Sequence, residues 1–275
     1  MFDRIVIGVD DREGGRDALA LADSIARGTA ATLIAVRAYL YEGLRADASS
    51  ELDSVLREEG VAAQRVIVGD TSVARALQHA AEEENAGLLV VGSTHRGHVG
   101  RVLAGGVTAS VLHHAPCPVA VAPRGFAEDR RELATIGVGF DGSAESQAAL
   151  AIATELAKAV GASLRILSVV PIAVPVAYPV GFERDWVDER EREGRAEVDR
   201  ARAAAGERGV AASGDTAVGS AVDELVELSR EVDLLVVGSR GFGPVKRLLL
   251  GSTSDRLVRE AACPVIAVPR PEHAD

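Results

Sequence analysis

The sequence predicts an α/β fold in which two doubly wound parallel-sheet domains stand in tandem. The chain has 275 residues, which suffices for about two domains of ordinary size. Strand-like runs recur in the same order in both halves, and residues 88–93 and 234–239 both read LLVVGS. These runs are continuously apolar and alternate with helical patterns, which is typical of parallel strands buried on both faces.

Each half reads as five strands connected by helices. The first strand of each half ends in an aspartate, Asp10 or Asp141, and the last strand follows a Cys-Pro pair. The predicted strands are 4–9, 31–37, 62–68, 88–91 and 118–122 in the first half, and 135–140, 163–170, 209–213, 234–237 and 264–268 in the second.

Glycine and serine residues mark the predicted helix ends. Gly28 and Gly161 follow the apolar periodicity of the first helices and are predicted C-caps, since glycine readily adopts the left-handed conformation found there. Ser72 and Ser220 are predicted N-caps of the third helices. The densely charged stretch 183–208 is predicted to form a solvated helix.

The domain boundary falls in the polar stretch 124–132, which gives domains of 1–126 and 133–275. The second domain carries an extra apolar, proline-rich segment at 171–182, which either covers a sheet edge or the other domain, or acts as a lid or oligomer contact. The last strands of the two halves can pair with each other as an internal pseudo-dimer with few exposed edges. Whether two chains form a homodimer stays open.

Composition and charge argue against several classes of protein. The net charge is −11, so a groove that follows a nucleic-acid backbone is not expected. The longest apolar stretch, 167–182, is interrupted by prolines, and no signal-peptide pattern precedes the first strand. We therefore expect no membrane span and a cytoplasmic location. Cys117 and Cys263 occupy equivalent places before a proline, which predicts small buried side chains and no disulfide.

The most specific motif is a glycine-spaced loop at 238–253, which follows a buried strand and opens a helix. Gly238, Gly241 and Gly251 are followed by Ser252 in the pattern G-x2-G-x9-G-S. Glycines let backbone N–H groups approach a phosphate chain closely, and a helix start adds a positive dipole end. The spacing predicts a phosphate site at the carboxyl end of the fourth strand, where doubly wound sheets bind ligands.

Together with the aspartate that ends the first strand and the Cys-Pro-Val last strand, this loop resembles the universal stress protein family. The resemblance covers essentially the whole chain, as a tandem pair of Rossmann-like, adenine-nucleotide alpha-hydrolase-like domains. In the ATP-binding members of the family the loop cradles phosphates and ribose, the first-strand aspartate lies near the nucleotide, and the end of the second strand contacts adenine through its backbone. The resemblance therefore implies ATP or another adenine nucleotide as ligand, with Mg²⁺ entering on the phosphates.

Carried over by position, the resemblance implies ligand-binding residues in both halves, and no catalytic or metal-ligating set. In the second half they are Asp141, Val169, Val237, Gly238, Ser239, Arg240, Gly241, Gly251, Ser252 and Thr253. In the first half they are Asp10, Ala38, Gly92, Ser93, His95 and Gly105.

The first half departs from the family pattern in its loop. His95 stands where the second half has Gly241, and Gly106 stands where it has Ser252. The imidazole either supplies a side-chain donor to a phosphate or marks a repeat that has lost its ligand. We expect the second half to bind more tightly.

The two first-strand aspartates also have a structural interpretation. Asp10 and Glu13 fit a helix-capping pattern, which alone can explain Asp10. Ser143 can cap the helix after Asp141, which would leave Asp141 freer and favours a ligand role for it.

The predicted function is that of a stress-response protein in which an adenine nucleotide acts as a regulatory ligand. No residue is placed as a general base, so slow ATP hydrolysis is the most that we expect. Two alternatives stay open. One is a dimerising scaffold that binds no nucleotide. The other is an adenylate-forming or phosphoryl-transfer enzyme on the same architecture, for which the loop offers the basic pair Lys246 and Arg247.

Overall fold

The structure is a computed structural model that describes residues 2–93, 106–129, 132–171, 183–239 and 252–270. The first half contains β1 (Arg4–Gly8), α1 (Glu13–Thr29), β2 (Thr32–Tyr39), a 3-10 turn (Glu42–Leu44), α2 (Arg45–Glu59), β3 (Gln64–Gly69), α3 (Val73–Glu83), β4 (Leu88–Gly92), α4 (Gly106–His114) and β5 (Val119–Ala122). A short helix, α5 (Phe126–Asp129), connects the halves. The second half contains β6 (Thr135–Gly139), α6 (Ala144–Val160), β7 (Ser163–Val170), α7 (Glu183–Glu207), β8 (Ala212–Val218), α8 (Ala221–Leu228), β9 (Leu234–Gly238), α9 (Ser252–Glu260) and β10 (Val265–Val268).

The described strands form one sheet in the order β3-β2-β1-β4-β5-β10-β9-β6-β7-β8. Neighbouring strands are parallel within each half, as the continuously apolar runs predict. The two halves join where β5 and β10 pair in antiparallel fashion, with Val121 opposite Val265. The predicted pairing of the two last strands is therefore confirmed, together with the tandem doubly wound fold.

Helices cover both faces of this sheet. One apolar layer lies beneath α1, α2, α5, α6 and α7, and the other beneath α3, α4, α8 and α9. Strand residues alternate between the layers: Ile5 and Ile7 face the first, and Val6 faces the second. Burying one such side chain contributes about 1.5–3 kcal/mol. Because both layers run through both halves, the same core that folds each half also holds the halves together.

The first helices end differently from each other. Gly161 is the C-cap of α6, with φ at +76°, as predicted. The prediction for Gly28 is wrong, because α1 continues to Thr29 and Ala30 takes the left-handed cap position. Gly28 instead faces α6, where a Cβ would lie 2.6 Å from Val160 Cγ1 and 2.8 Å from the carbonyl oxygen of Ala159. This glycine therefore marks a close contact between helices of the two halves.

The remaining helix predictions hold in part. Ser72 caps α3, since its side chain accepts a hydrogen bond from the N–H of Arg75 at 3.3 Å. Ser220 stands at the N-cap of α8 but makes no capping hydrogen bond through its side chain. The third strand of the second half is 212–218, further along than the predicted 209–213. The charged stretch is helical as predicted, and Val198 and Ala201 lie in its buried stripe. Residues 172–182 of the proline-rich segment lie outside the described residues.

Candidate functional site

The carboxyl ends of the strands, where doubly wound sheets bind their ligands, lie at two opposite edges of the sheet. The antiparallel contact between β5 and β10 turns the second half around relative to the first. At each edge the first strand lies in the middle: β1 between β2 and β4, and β6 between β7 and β9. We call the carboxyl ends of β1, β2 and β4 the first crevice, and the carboxyl ends of β6, β7 and β9 the second crevice.

The fourth strand of each half ends in a glycine on which the start of a helix packs. A Cβ on Gly238 would lie 2.6 Å from the carbonyl carbon of Glu145 and 2.7 Å from its oxygen. A Cβ on Gly92 would overlap the backbone of Gly14. In the first half, the hydroxyl of Thr108 also donates to the carbonyl oxygen of Gly92 at 2.9 Å. Packing therefore requires a residue without a Cβ at these two strand ends, in both crevices.

The serine after each of these glycines has a buried hydroxyl that finds no hydrogen-bond partner among the described residues. Ser93 is 6% exposed and Ser239 is 1% exposed. Their backbone N–H groups are satisfied, by Ala122 O at 2.9 Å and Val268 O at 2.8 Å. An unpaired buried hydroxyl costs about 1–3 kcal/mol. The same cost at two equivalent strand ends points to a partner from outside the described chain.

Asp10, at the carboxyl end of β1, caps α1. Its Oδ1 accepts hydrogen bonds from the backbone N–H of Gly15 at 3.1 Å and from that of Arg12 at 3.2 Å. Arg12 occupies the N-cap position by its backbone but makes no capping bond through its side chain. The capping interpretation of Asp10 is confirmed in part: its carboxylate accepts from the first turn of α1 at Gly15, but Asp10 lies two residues before the N-cap position that the pattern with Glu13 predicts for it.

In the second half the cap and the aspartate are different residues, but they are coupled. Ser143 caps α6 as predicted, since its hydroxyl oxygen accepts from the N–H of Ser146 at 3.2 Å. Ser143 in turn donates its hydroxyl at 2.5 Å and its N–H at 3.1 Å to Oδ1 of Asp141. Asp141 was expected to be free of structural hydrogen bonds. This expectation is wrong for one of its oxygens, because Oδ1 holds the loop before α6 through Ser143.

The second strands differ near the crevices. Arg37 of β2 forms an ion pair with Glu51 of α2 and donates to Asp11 at 3.3 Å. Ser168 takes the equivalent place in β7 and lies below α7, where a Cβ on Gly194 would be 3.3 Å from Ser168 Oγ. In the first half, Arg37 therefore connects β2 to α2 and to the loop after β1. The second half has a small uncharged side chain at this position.

A carboxylate that the sequence interpretation missed lies beside the second crevice. Gly142 has φ at +74°, and a Cβ at this position would lie 2.8 Å from both carboxylate oxygens of Glu197 in α7. No hydrogen bond or ion pair engages the Glu197 side chain within the described part of the chain. The one signal for it in the sequence is Gly194, one turn earlier, since glycine within a charged helix marks close packing of that helix.

A cavity of about 350 Å³ lies between α6 and α7 next to this carboxylate. It is lined by Phe140, Gly142, Gln147, Leu150, Ala151, Thr154, Glu197, Arg200, Ala201, Ala204, Ala205 and Arg208. In the first half, Arg16 occupies the position equivalent to Gln147 and bridges α1 to α2, pairing with Glu58 at 2.6 Å and Glu59 at 3.2 Å. The space between the two helices is therefore bridged by ion pairs in the first half and open in the second.

The structure gathers most of the predicted site residues at the two edges. Those at the first crevice are Asp10, Ala38, Gly92 and Ser93, and those at the second are Asp141, Val169, Val237, Gly238 and Ser239. The predicted residues that lie outside the described part are His95, Gly105, Arg240, Gly241 and Gly251. Helix α9 begins at Ser252 and Thr253, as a phosphate site at a helix start requires.

The two cysteines are free and buried, as predicted. Burial raises the pKa of the Cys117 thiol to about 12 and shifts the pKa of Cys263 upward as well. Both are therefore thiols at neutral pH, which argues against a redox role. Within the described ranges, no three His, Cys, Asp or Glu side chains are arranged to hold a metal ion. No helix in those ranges is both long and apolar enough to cross a membrane.

Both halves of the chain match one family model. Residues 1–123 and residues 133–269 each match the universal stress protein family. A universal stress protein of Mycolicibacterium smegmatis is 35% identical over 199 residues, which cover 72% of this chain and 66% of that protein. A universal stress protein of Mycobacterium tuberculosis H37Rv is 33% identical over 185 residues, covering 65% of this chain and 60% of the relative. The matches thus span less than two thirds of the length of these relatives.

Solved structures share the tandem arrangement. A functionally unknown protein from Pseudomonas aeruginosa PAO1 aligns with a TM-score of 0.73 and 18% identity, covering 98% of this chain and 93% of that one. A universal stress protein from Archaeoglobus fulgidus aligns with a TM-score of 0.67 and 20% identity, covering 98% of this chain and 100% of that one. At these identities the similarity supports the fold alone.

Proposed function

Since the chain belongs to the universal stress protein family, we propose that it binds an adenine nucleotide, ATP first of all, as a regulatory ligand in the cytoplasm. The second crevice is the main site, and the first crevice binds more weakly. The ligand acts by favouring one conformation or one protein partner over another. It is not the substrate of fast chemistry.

The observation that carries this proposal is that the buried hydroxyls of Ser93 and Ser239 have no hydrogen-bond partner within the described ranges. Each lies at the carboxyl end of the fourth strand of its half, directly after a glycine at which a Cβ would collide with the start of a helix. A hydroxyl can donate to a phosphate or ribose oxygen, and a ligand that accepts this bond removes the cost of leaving it unpaired. Nucleotide oxygens are suited to this place because the start of α9 adds its dipole to the same edge.

The carboxylates of the crevices support a binding role over catalysis. Asp10 and the Oδ1 of Asp141 hold loops and helix starts in place, which leaves neither as a positioned general base. If Mg²⁺ accompanies the phosphates, it supplies charge neutralisation there. The protein residues bind and orient the nucleotide.

The test uses a matched pair of buried serines. Ser239→Ala should weaken ATP binding about tenfold while leaving the free energy of unfolding unchanged or raised, because the removed hydroxyl has no hydrogen-bond partner among the described residues. Ser229 is the control. It is also 1% exposed, but its hydroxyl donates to Val226 O at 2.6 Å and accepts from the N–H of Ala262 at 2.9 Å. Ser229→Ala should cost about 1 kcal/mol or more of stability and leave ATP affinity unchanged.

Isothermal titration of wild-type protein with ATP, ADP and AMP, together with urea unfolding, provides both readouts. Absence of binding by wild-type protein, combined with no nucleotide released from it on mass spectrometry, would favour the scaffold alternative. Multiple turnovers of ATP per minute would favour the enzyme alternative. If Ser93→Ala weakens binding more than Ser239→Ala, the second crevice is not the main site.

A further inference from the structure

Glu197 lies beside the second crevice, and neither of its carboxylate oxygens has a hydrogen-bond or ion-pair partner among the described residues. It comes from α7, and its two oxygens are equidistant from the position that a Cβ would occupy on Gly142. Asp141 is the neighbouring acid, but its Oδ1 already accepts two hydrogen bonds from Ser143. A hydrogen-bond donor that enters the crevice beside β6 therefore meets Glu197 as the strongest available acceptor.

The strand order indicates which part of a nucleotide lies next to Glu197. The unpaired hydroxyl of Ser239 follows β9, and the proposed backbone contact to the base, at Val169, lies at the end of β7. β6 lies between these two strands, so the loop that contains Gly142 is central. The group that connects base to phosphate is the ribose. Its hydroxyls are thus the donors that come nearest to the middle strand.

The surroundings of Glu197 leave room for this contact. Glu197 and Gly142 form one end of the cavity between α6 and α7, so the carboxylate borders open space. A Cβ on Gly142 would displace the flexible end of Glu197, and the positive φ of Gly142 favours glycine in any case. Arg200 lines the same cavity one turn further along α7, which partly offsets the negative charge at this place.

We propose that Glu197 accepts a hydrogen bond from the 2′-hydroxyl of the ribose and makes the second crevice select ribonucleotides over 2′-deoxyribonucleotides. This inference rests on the proposed nucleotide binding. The first crevice has no such selectivity. There, Asp11 takes the place of Gly142, and Arg37 engages it at 3.3 Å.

The experiment compares ATP with 2′-deoxy-ATP on wild-type protein, Glu197→Ala and Glu197→Gln. Isothermal titration of each protein with each nucleotide gives the affinities. Wild-type protein should bind ATP about tenfold more tightly than 2′-deoxy-ATP, as expected for a lost hydrogen bond to a charged acceptor. Glu197→Ala should weaken ATP binding by that factor and leave 2′-deoxy-ATP binding unchanged. Glu197→Gln should keep part of the preference, since its amide oxygen still accepts one bond.

Glu207→Gln, at the exposed end of α7, is the control that removes a charge from the same helix and should keep the full preference. Equal affinity of wild-type protein for the two nucleotides would overturn the inference while leaving nucleotide binding intact. Equal weakening of both nucleotides by Glu197→Ala would also overturn it. A preference that disappears when Mg²⁺ is replaced by EDTA would assign Glu197 to the cation instead. Failure of wild-type protein to bind ATP at all would count against the proposed function itself.

Discussion

The two crevices share one backbone frame and differ in the side chains that surround it. In both, a glycine packed against a helix start precedes a serine whose hydroxyl has no partner in the described part of the chain. In the first, Arg16 and Arg37 connect α1, α2, β2 and the loop after β1 through ion pairs. In the second, glutamine and serine replace these arginines, and Glu197 borders an open cavity.

The difference shows where a duplicated fold can diverge. The glycine at the strand end is kept in both halves, since a Cβ there would collide with the start of a helix. The helix between the second and third strands is less constrained. It has 15 residues in the first half and 25 in the second, and it lies at the side of each crevice. Ligand selectivity is therefore expected to reside in α2 and α7, with the strand ends giving affinity common to both.

The largest expected effect tests the shared frame. Gly92→Ala should lower the free energy of unfolding by about 3 kcal/mol and Gly238→Ala by about 2 kcal/mol, because each added Cβ meets helix backbone that cannot rotate away. The overlap is worse at Gly92, where the Cβ would meet the backbone of Gly14. Urea unfolding of both variants measures this.

Gly206→Ala is the control for that comparison. A Cβ at Gly206, near the end of α7, would meet nothing within 4 Å. This change should stabilise the protein by about 0.5–1 kcal/mol, as alanine is the better helix former. Wild-type stability in Gly92→Ala would show that the two strand ends are not held by packing.

The second prediction concerns a buried acid that the second half lacks. Asp17 of α1 is 2% exposed and accepts hydrogen bonds from Gly125 N at 3.0 Å and Ala127 N at 2.8 Å, which fastens the linker to the first half. Its counterpart in α6 is Ala148. Asp17→Asn should cost about 2 kcal/mol, because an amide group presents one N–H donor to another.

The cost should depend on pH in a defined direction. Burial raises the pKa of Asp17 above its ordinary 3.8; the hydrogen bonds from Ala127 and Gly125 oppose this rise only in part, and the charges of Glu13 and Glu128 add to it. The folded protein therefore holds this proton more tightly than the unfolded chain does. The stability that Asp17 contributes is fully present below pH 3.8 and declines as the pH rises through the folded pKa. Unfolding of wild-type and Asp17→Asn across this range should give a larger difference at the acid end. The reverse trend would mean that the ionised form is the one the linker prefers.

The third prediction tests the contact that joins the two halves. Gly28→Ala places a Cβ 2.6 Å from Val160 Cγ1 and 2.8 Å from Ala159 O. Overpacking of about 1–3 kcal/mol should outweigh the gain of about 1 kcal/mol in helix propensity, for a net loss of about 1 kcal/mol. Adding Val160→Ala should recover part of this loss, since it removes one of the two clashes. A gain in stability from Gly28→Ala alone would show that α1 and α6 can separate without cost.

Much of the fold follows from short-range patterns. The repeated LLVVGS segments and the apolar runs predict strands, and the strand ends place Gly92, Ser93, Gly238 and Ser239 at two edges. Local patterns could not predict the features of the fold that depend on contacts between residues far apart in the sequence. Gly28 obeys the rule for a helix end, but the approach of α6 decides its role.

The same limit applies to the candidate site. Asp141 looks available in the sequence because Ser143 can cap the helix, yet the same Ser143 hydroxyl both caps the helix and donates to Asp141. Glu197 lies within a run of charges that reads as solvent-exposed surface, and 55 positions separate it from Gly142. Only the packing of α7 brings the two together.

The smallest expected effect separates two serines that look alike in the sequence. Ser72→Ala should lower the free energy of unfolding by about 0.5 kcal/mol, because its side chain accepts from Arg75 N at a rather long 3.3 Å. Ser220→Ala should change it by less, because Ser220 makes no capping bond through its side chain. Chemical unfolding of the two variants side by side checks the order. A larger loss of stability from Ser220→Ala would mean that the Ser220 hydroxyl caps α8. Helices α3 and α8 would then begin in the same way.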